Sequence, residues 1–218
     1  STYVRHMRTG ELELVSIDAG ADPITPYWSA ISGDGRYVVF ENYVRDLKTK
    51  ITTQTLLSPG GQFPSISYDG RFITSAIDDG ILSGDTNGFS DIALYDQSLN
   101  LYSLISVTDT GDSANGPSFL PSISPDGRYV SYSTGATNLS GSENPSIAQL
   151  VFHDRVTSEN RTVSLSAGGD HGNDHSAYTA LPAGGQSILF SSRSSNLVPG
   201  ENETNGQFLV DLTCNFGS

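Results

Sequence analysis

The chain has 218 residues, 36% of them apolar, with 23 glycines, one cysteine and a formal charge of −13. That length suits one domain with a substantial core, and the acid excess argues against non-specific nucleic-acid binding, because phosphate backbones repel it. No apolar run approaches the roughly 18–20 residues needed to cross a bilayer, so membrane insertion is not expected.

The single cysteine, Cys214, has no intrachain partner and reads as a free thiol, and no Cys/His spacing suits zinc. No signal peptide stands at Ser1–Gly10, so an exported protein is expected to be present here in mature form or as an excerpt.

Along the chain, one pattern recurs. Residues 1–16 hold two strands, Tyr3-Val-Arg-His6 and Glu11-Leu-Glu-Leu-Val-Ser16, around a turn at Arg8-Thr-Gly10. Residues 29–58 open with Ser29-Ala-Ile-Ser-Gly-Asp-Gly-Arg-Tyr-Val-Val-Phe40 and continue through Tyr43-Val-Arg-Asp46 to a strand from Ile51. Residues 64–107 repeat the opening as Pro64-Ser-Ile-Ser-Tyr-Asp-Gly-Arg-Phe-Ile73 and the landmark aspartate as Ala93-Leu-Tyr-Asp96. Residues 121–166 carry Pro121-Ser-Ile-Ser-Pro-Asp-Gly-Arg-Tyr-Val-Ser-Tyr132 and Val151-Phe-His-Asp154. Residues 176–211 hold a worn copy, Ala180-Leu-Pro-Ala-Gly-Gly-Gln-Ser-Ile-Leu-Phe190, with Phe208-Leu-Val-Asp211.

Asp-Gly between two β-prone runs is a strong hairpin signal, because the turn needs positive φ. Each full unit therefore predicts four short strands, and no stretch shows a capped helical period. Four-stranded units repeated radially make an all-β propeller of antiparallel blades. Residues 1–218 form one such domain of about four to five blades, closed by pairing of the termini, or an arc of a larger ring. An arc leaves strand edges to be covered by a neighbour.

The runs PSIS-x-DGR-[YF]-[VI], the Gly84-Asp85-Thr86-Asn87-Gly88 loop and the terminal aspartate of the third strand resemble the TolB-like, or PD40 (WD40-like), propeller repeat. The resemblance covers nearly the whole chain. It implies a propeller fold and an extracytoplasmic setting, periplasmic or secreted. Members of such families serve in envelope complexes, as peptidase gates and as accessory domains of carbohydrate-active enzymes. Function itself sits in sites grafted on the fold.

Three places invite chemistry. Asp85, Asn87 and Asp91 surround a Gly turn and resemble the opening of a calcium loop, with Asp78 and Asp79 near and no later bidentate Glu. The bland alternative is a turn whose acids accept local N–H groups. Asp170, His171, Asp174 and His175 resemble a metal or acid–base cluster. However, Gly169–His175 aligns without gaps onto Gly111–Pro117, so an inter-blade connector decorated with histidine explains it as well. Tyr27 and Trp28 offer an aromatic platform for glycan stacking, or plain inter-blade packing.

His6 and His153 fall at strand positions and read as packing or surface residues. The sequons at Asn138, Asn160 and Asn202 matter only in a secretory eukaryotic host. No Gly-x-Ser-x-Gly elbow is present. The composite expectation is a non-catalytic propeller that binds a protein partner or assembles with itself, with calcium as a stabilising ion. A glycan-binding or accessory module, and a hydrolase or lyase working in the axial channel, are the rivals.

Overall fold

The computed structural model describes residues 1–55, 61–82, 84–200 and 205–213. Cys214 and the Asn202 sequon lie outside them. Among the described residues seventeen strands form five antiparallel sheets, and within each sheet the strands follow sequence order.

The first sheet pairs β1 (Tyr3–Arg5) with β2 (Leu12–Leu14). The second contains β3 (Ser29–Ile31), β4 (Tyr37–Phe40), β5 (Tyr43–Asp46) and β6 (Ile51–Gln54). The third contains β7 (Gln62–Ile66), β8 (Phe72–Ile77), β9 (Asp91–Asp96) and β10 (Leu101–Leu104). The fourth contains β11 (Ser118–Ile123), β12 (Tyr129–Thr134), β13 (Gln149–Asp154) and β14 (Glu159–Thr162). The fifth contains β15 (Ser176–Ala180), β16 (Ser187–Ser192) and β17 (Gly206–Asp211). One helical turn, α1 (Thr137–Ser140), interrupts the loop between β12 and β13; a single turn carries no apolar period and leaves no mark in the sequence.

Among the described residues the first and last sheets do not pair, so of the two expected arrangements the sheets form the arc rather than the ring closed by its termini. The reason is a duplicated element. Both β1 and β17 are copies of the third strand of a blade, so one sheet cannot hold the two, and each stays in its own sheet.

Alternation along each strand sends side chains to both neighbours. Val38 and Phe40 of β4 pack on Val4 and Val15 of the first unit. Val39 and Val44 point the other way, onto Ile73, Ile77 and Tyr95 of the third sheet. Ile92 and Leu94 meet Val130, Tyr132 and Val151 of the fourth. Leu150 and Phe152 meet Ile188 and Phe190 of the fifth. The core is thus four successive layers between sheets. Burying each large apolar side chain there contributes about 1.5–3 kcal/mol.

The repeated Ser-x-Asp-Gly-Arg-aromatic run is a hydrogen-bonded corner. Asp34 Oδ1 accepts from Ser32 Oγ and from the Arg36 N–H (2.9 Å), and Ser32 Oγ accepts the Tyr37 N–H (2.9 Å). Ser67/Asp69 and Ser124/Asp126 repeat it. Gly35, Gly70 and Gly127 take the positive φ that the corner requires. The arginine then turns to the aspartate that ends the third strand: Arg36 to Asp46, Arg71 to Asp96 and Arg128 to Asp154 each make two-pronged ion pairs. This explains why the two landmarks travel together.

Candidate functional site

The first strands of sheets two to five, β3, β7, β11 and β15, are edge strands that line up side by side. Three of them are bulged. Register shifts fall between Gln62 and Ser65, between Phe119 and Ser122, and between Ala177 and Ala180. At each bulge a bulky residue holds a left-handed backbone: Phe63 (φ 51), Leu120 (φ 54) and Tyr178 (φ 52). For L-residues that conformation costs about 1–2 kcal/mol each. Bulges re-aim side chains, and here all three reach the same place.

That place is an open cavity of about 470 Å³ bounded by Trp28, Phe63, Leu120 and Tyr178, with Tyr27 at its rim. Trp28 occupies in the second unit the position that Phe63, Leu120 and Tyr178 hold in the next three. Its ring centroid lies 4.7 Å from that of Phe63 and 5.8 Å from that of Tyr27. Tyr27 and Tyr178 are largely exposed, at 88% and 71%. Pro64, Pro121, Ser29, Ser65, Ser122 and Thr179 complete the wall, and none of these lining residues is charged. Ser65 Oγ accepts the Ile123 N–H (3.1 Å), and Ser131 and Thr179 share a 2.6 Å hydrogen bond, so the wall is tied between blades.

A second cavity of about 440 Å³ adjoins it, sharing Leu120 and Tyr178. Its remaining lining is Ala177, Ser191 and Ser192 together with the polar side chains of His175, Arg193, Asn205 and Gln207.

Of the residues singled out in the sequence, Tyr27 and Trp28 enter the axial cavity and His175 enters its neighbour. The rest of the histidine segment disperses. His171 Nε2 lies 2.8 Å from the Ser140 carbonyl, to which it donates, while His175 Nδ1 accepts the Ala148 N–H at 3.0 Å. Asp174 Oδ1 takes the His175 N–H, and the Asp170 N–H donates to Ser166 Oγ. Asn173 and Asn196 repeat, one unit on, the contacts of Asn115 and Asn138: the Asn173 and Asn115 N–H groups donate to Oδ1 of Asn196 and Asn138, whose Nδ2 groups donate to the carbonyls of His171 and Ser113. The segment therefore does a connector's job.

Asp85, Asn87 and Asp91 do come together. Asp85 Oδ2 accepts the Gly80 N–H (2.9 Å), and Asp91 accepts from Asn87 Nδ2 (2.7 Å) and Ser106 Oγ (2.5 Å). Asp79 takes the Gly88 N–H. Burial of Asp91, helped by the nearby Asp85 charge, pushes its carboxyl up to about 6. In this arrangement the oxygens accept N–H and O–H donors of the loop itself. Among the described residues, no three His, Cys, Asp or Glu side chains form a metal-holding group.

Phe63, Leu120, Tyr178 and Arg193 were not signalled as functional by the sequence. The available signal was positional: the residue preceding Pro-Ser-Ile-Ser, or its equivalent, is large and apolar in all four copies.

No protein-family model and no curated protein sequence matches the chain. Solved structures do resemble it. TolB from Acinetobacter baumannii aligns over 97% of this chain and 46% of its own, with a TM-score of 0.59 and 17% identity. Kuenenia stuttgartiensis hydrazine synthase covers 96% of this chain and 56% of its own (TM-score 0.55, 18% identity). An oligogalacturonate lyase in complex with manganese covers 97% and 56% (TM-score 0.60, 11% identity). The chain spans about half the length of these neighbours. They include chains of different activity, and the likeness is one of fold. Separate four-stranded antiparallel sheets, stacked in sequence order and matched by these neighbours, make the chain a β-propeller arc of TolB-like fold.

Proposed function

We propose that the chain is a non-catalytic propeller module that binds a protein partner at its axial face, through the apolar ring of Trp28, Phe63, Leu120 and Tyr178. The carrying observation is the repeated left-handed bulge. Three bulky residues hold a costly backbone conformation, and all three side chains meet in one open cavity. Such outliers persist where the site repays them. Exposed aromatic side chains with few rotatable bonds are favoured anchors for protein partners. An extracytoplasmic setting belongs to the same proposal and rests on the TolB-like repeat.

A neutral-glycan reading draws on the same cavity, since Ser and Thr hydroxyls stand beside the aromatic rings. The axial lining contains no carboxyl or imidazole group for acid–base chemistry.

Selection of displayed peptides on the immobilised chain, counter-screened on Tyr178→Ser and Tyr27→Ser, tests the proposal. Peptides bearing apolar side chains are expected, losing at least about 10-fold in affinity on the variants, which corresponds to about 1.4 kcal/mol. Peptides indifferent to both substitutions would overturn it. Quenching of Trp28, the only tryptophan, by neutral hexasaccharides would transfer the site to glycans.

A further inference from the structure

The cavity beside the axial ring carries a second message, which rests on the reading of the ring as a binding site. Its polar wall is rich in donors. His175 uses Nδ1 to accept the Ala148 N–H, so the neutral imidazole carries its proton on Nε2. Arg193 has its backbone fixed by a 3.0 Å hydrogen bond from its N–H to the His175 carbonyl, which holds the two residues side by side. Its guanidinium makes no ion pair among the described residues. Gln207 Nε2 is steadied on Ser191 Oγ at 2.7 Å. The neighbouring carboxylate, Asp174, is turned to the His175 backbone N–H, so in a chain of charge −13 the Arg193 guanidinium and the His175 Nε2–H are left facing solvent as donors for an anion.

The two cavities are continuous in their walls, since Leu120 and Tyr178 line both. A ligand that fills them has an apolar body against Tyr178 and Leu120 and an anionic group beside Arg193 and His175. We infer that the site takes the C-terminal residue of a peptide, with an apolar side chain on the axial ring and the terminal carboxylate on Arg193 and His175 Nε2. A guanidinium matches a carboxylate in a two-pronged arrangement. A polyuronide offers a carboxylate too, but it brings one on every sugar, and the acidic chain repels the remainder. A peptide end brings a single charge to a single arginine.

The experiment compares N-acetyl-Gly-Gly-Leu-Phe as the free acid and as the C-terminal amide, titrated into the whole chain with Trp28 fluorescence and calorimetry as readouts. The free acid is expected to bind about 10-fold or more tightly than the amide, a typical return for a charge-assisted contact. Arg193→Gln should bring the acid down to about the amide's affinity and so abolish the difference between the two. Equal binding of acid and amide would overturn the carboxylate assignment while leaving the axial reading intact. Silence of both peptides in both readouts would overturn the two together. Tighter binding of a galacturonate trimer, or displacement of the acid by millimolar inorganic phosphate, would remove the peptide end as the ligand.

Discussion

A Cβ placed on Gly70 would stand 2.2 Å from Cδ2 of Tyr37. The ring of one blade lies against the bare backbone of the next blade's corner, and the relationship repeats: Phe72 meets Gly127 and Tyr129 meets Gly185, at 2.2 and 2.3 Å. The arginine beside each aromatic stacks on it, with Arg36, Arg71 and Arg128 lying 4.5–4.8 Å from the ring centres. One dipeptide thus serves its own blade through the ion pair and the next blade through the ring.

Gly70→Ala and Gly127→Ala should each cost about 2–4 kcal/mol, combining a left-handed alanine with an overpacked contact. Gly111→Ala, with φ of +87° and open space around it, should cost only about 1 kcal/mol. Urea unfolding of the three variants checks the order. Equal costs would mean that the ring contact contributes nothing.

The pH dependence contains opposed slopes. Asp46, Asp96 and Asp154 sit below their ordinary range because an arginine holds each charge, so their stabilisation is present above about pH 4 and is lost as pH falls. Asp91, raised to about 6 by burial, does the reverse: its contribution is full below about pH 4 and disappears as pH rises through 6. Burial lowers His153, which opposes Asp91 because the unfolded chain takes up that proton first on acidification. Asp91→Asn should therefore unmask a stability that falls steadily as pH drops from 7 to 5. Melting temperatures across pH 4–8 read this directly, and identical profiles for the two proteins would contradict it.

The axial strain is predicted to be traded for binding. Tyr178→Gly should raise stability by up to about 1 kcal/mol, because glycine accepts positive φ and the exposed ring gives up little packing. The same change should remove ligand binding at the ring. Urea midpoints and peptide titration on one preparation supply both readings.

Calcium should leave the melting temperature unchanged to within about 1 °C, since the Asp85–Asp91 oxygens already accept hydrogen bonds. A rise with millimolar calcium that disappears in Asp85→Asn would establish a cation in that loop.

Much of the blade was legible in the sequence. Asp-Gly placed the corners, and the aspartates at 46, 96 and 154 marked the ends of third strands, because both features have one local physical cause. The axial ring was not legible. Positive φ at Phe63, Leu120 and Tyr178 comes from bulges imposed by pairing to the next strand, and nothing in a phenylalanine, leucine or tyrosine announces it. Trp28 and Tyr27 drew attention for their chemistry alone, and their companions were hidden by differing side chains in one column of the repeat. The histidine segment was legible as a connector from its gap-free alignment onto Gly111–Pro117, but not in its contacts: the extended backbone sends His171 to the Ser140 carbonyl and His175 to the Ala148 N–H, and the sequence alone does not show that His175 borders a cavity.

The four apolar layers between sheets also set how the chain comes apart. Each layer joins only adjacent sheets, so opening one leaves the others standing. The second, third and fourth sheets, flanked on both faces, should exchange their amide hydrogens last, while the first and fifth fray. The chain then behaves as a short stack that peels from its ends, with the aromatic-on-glycine contacts as its successive catches.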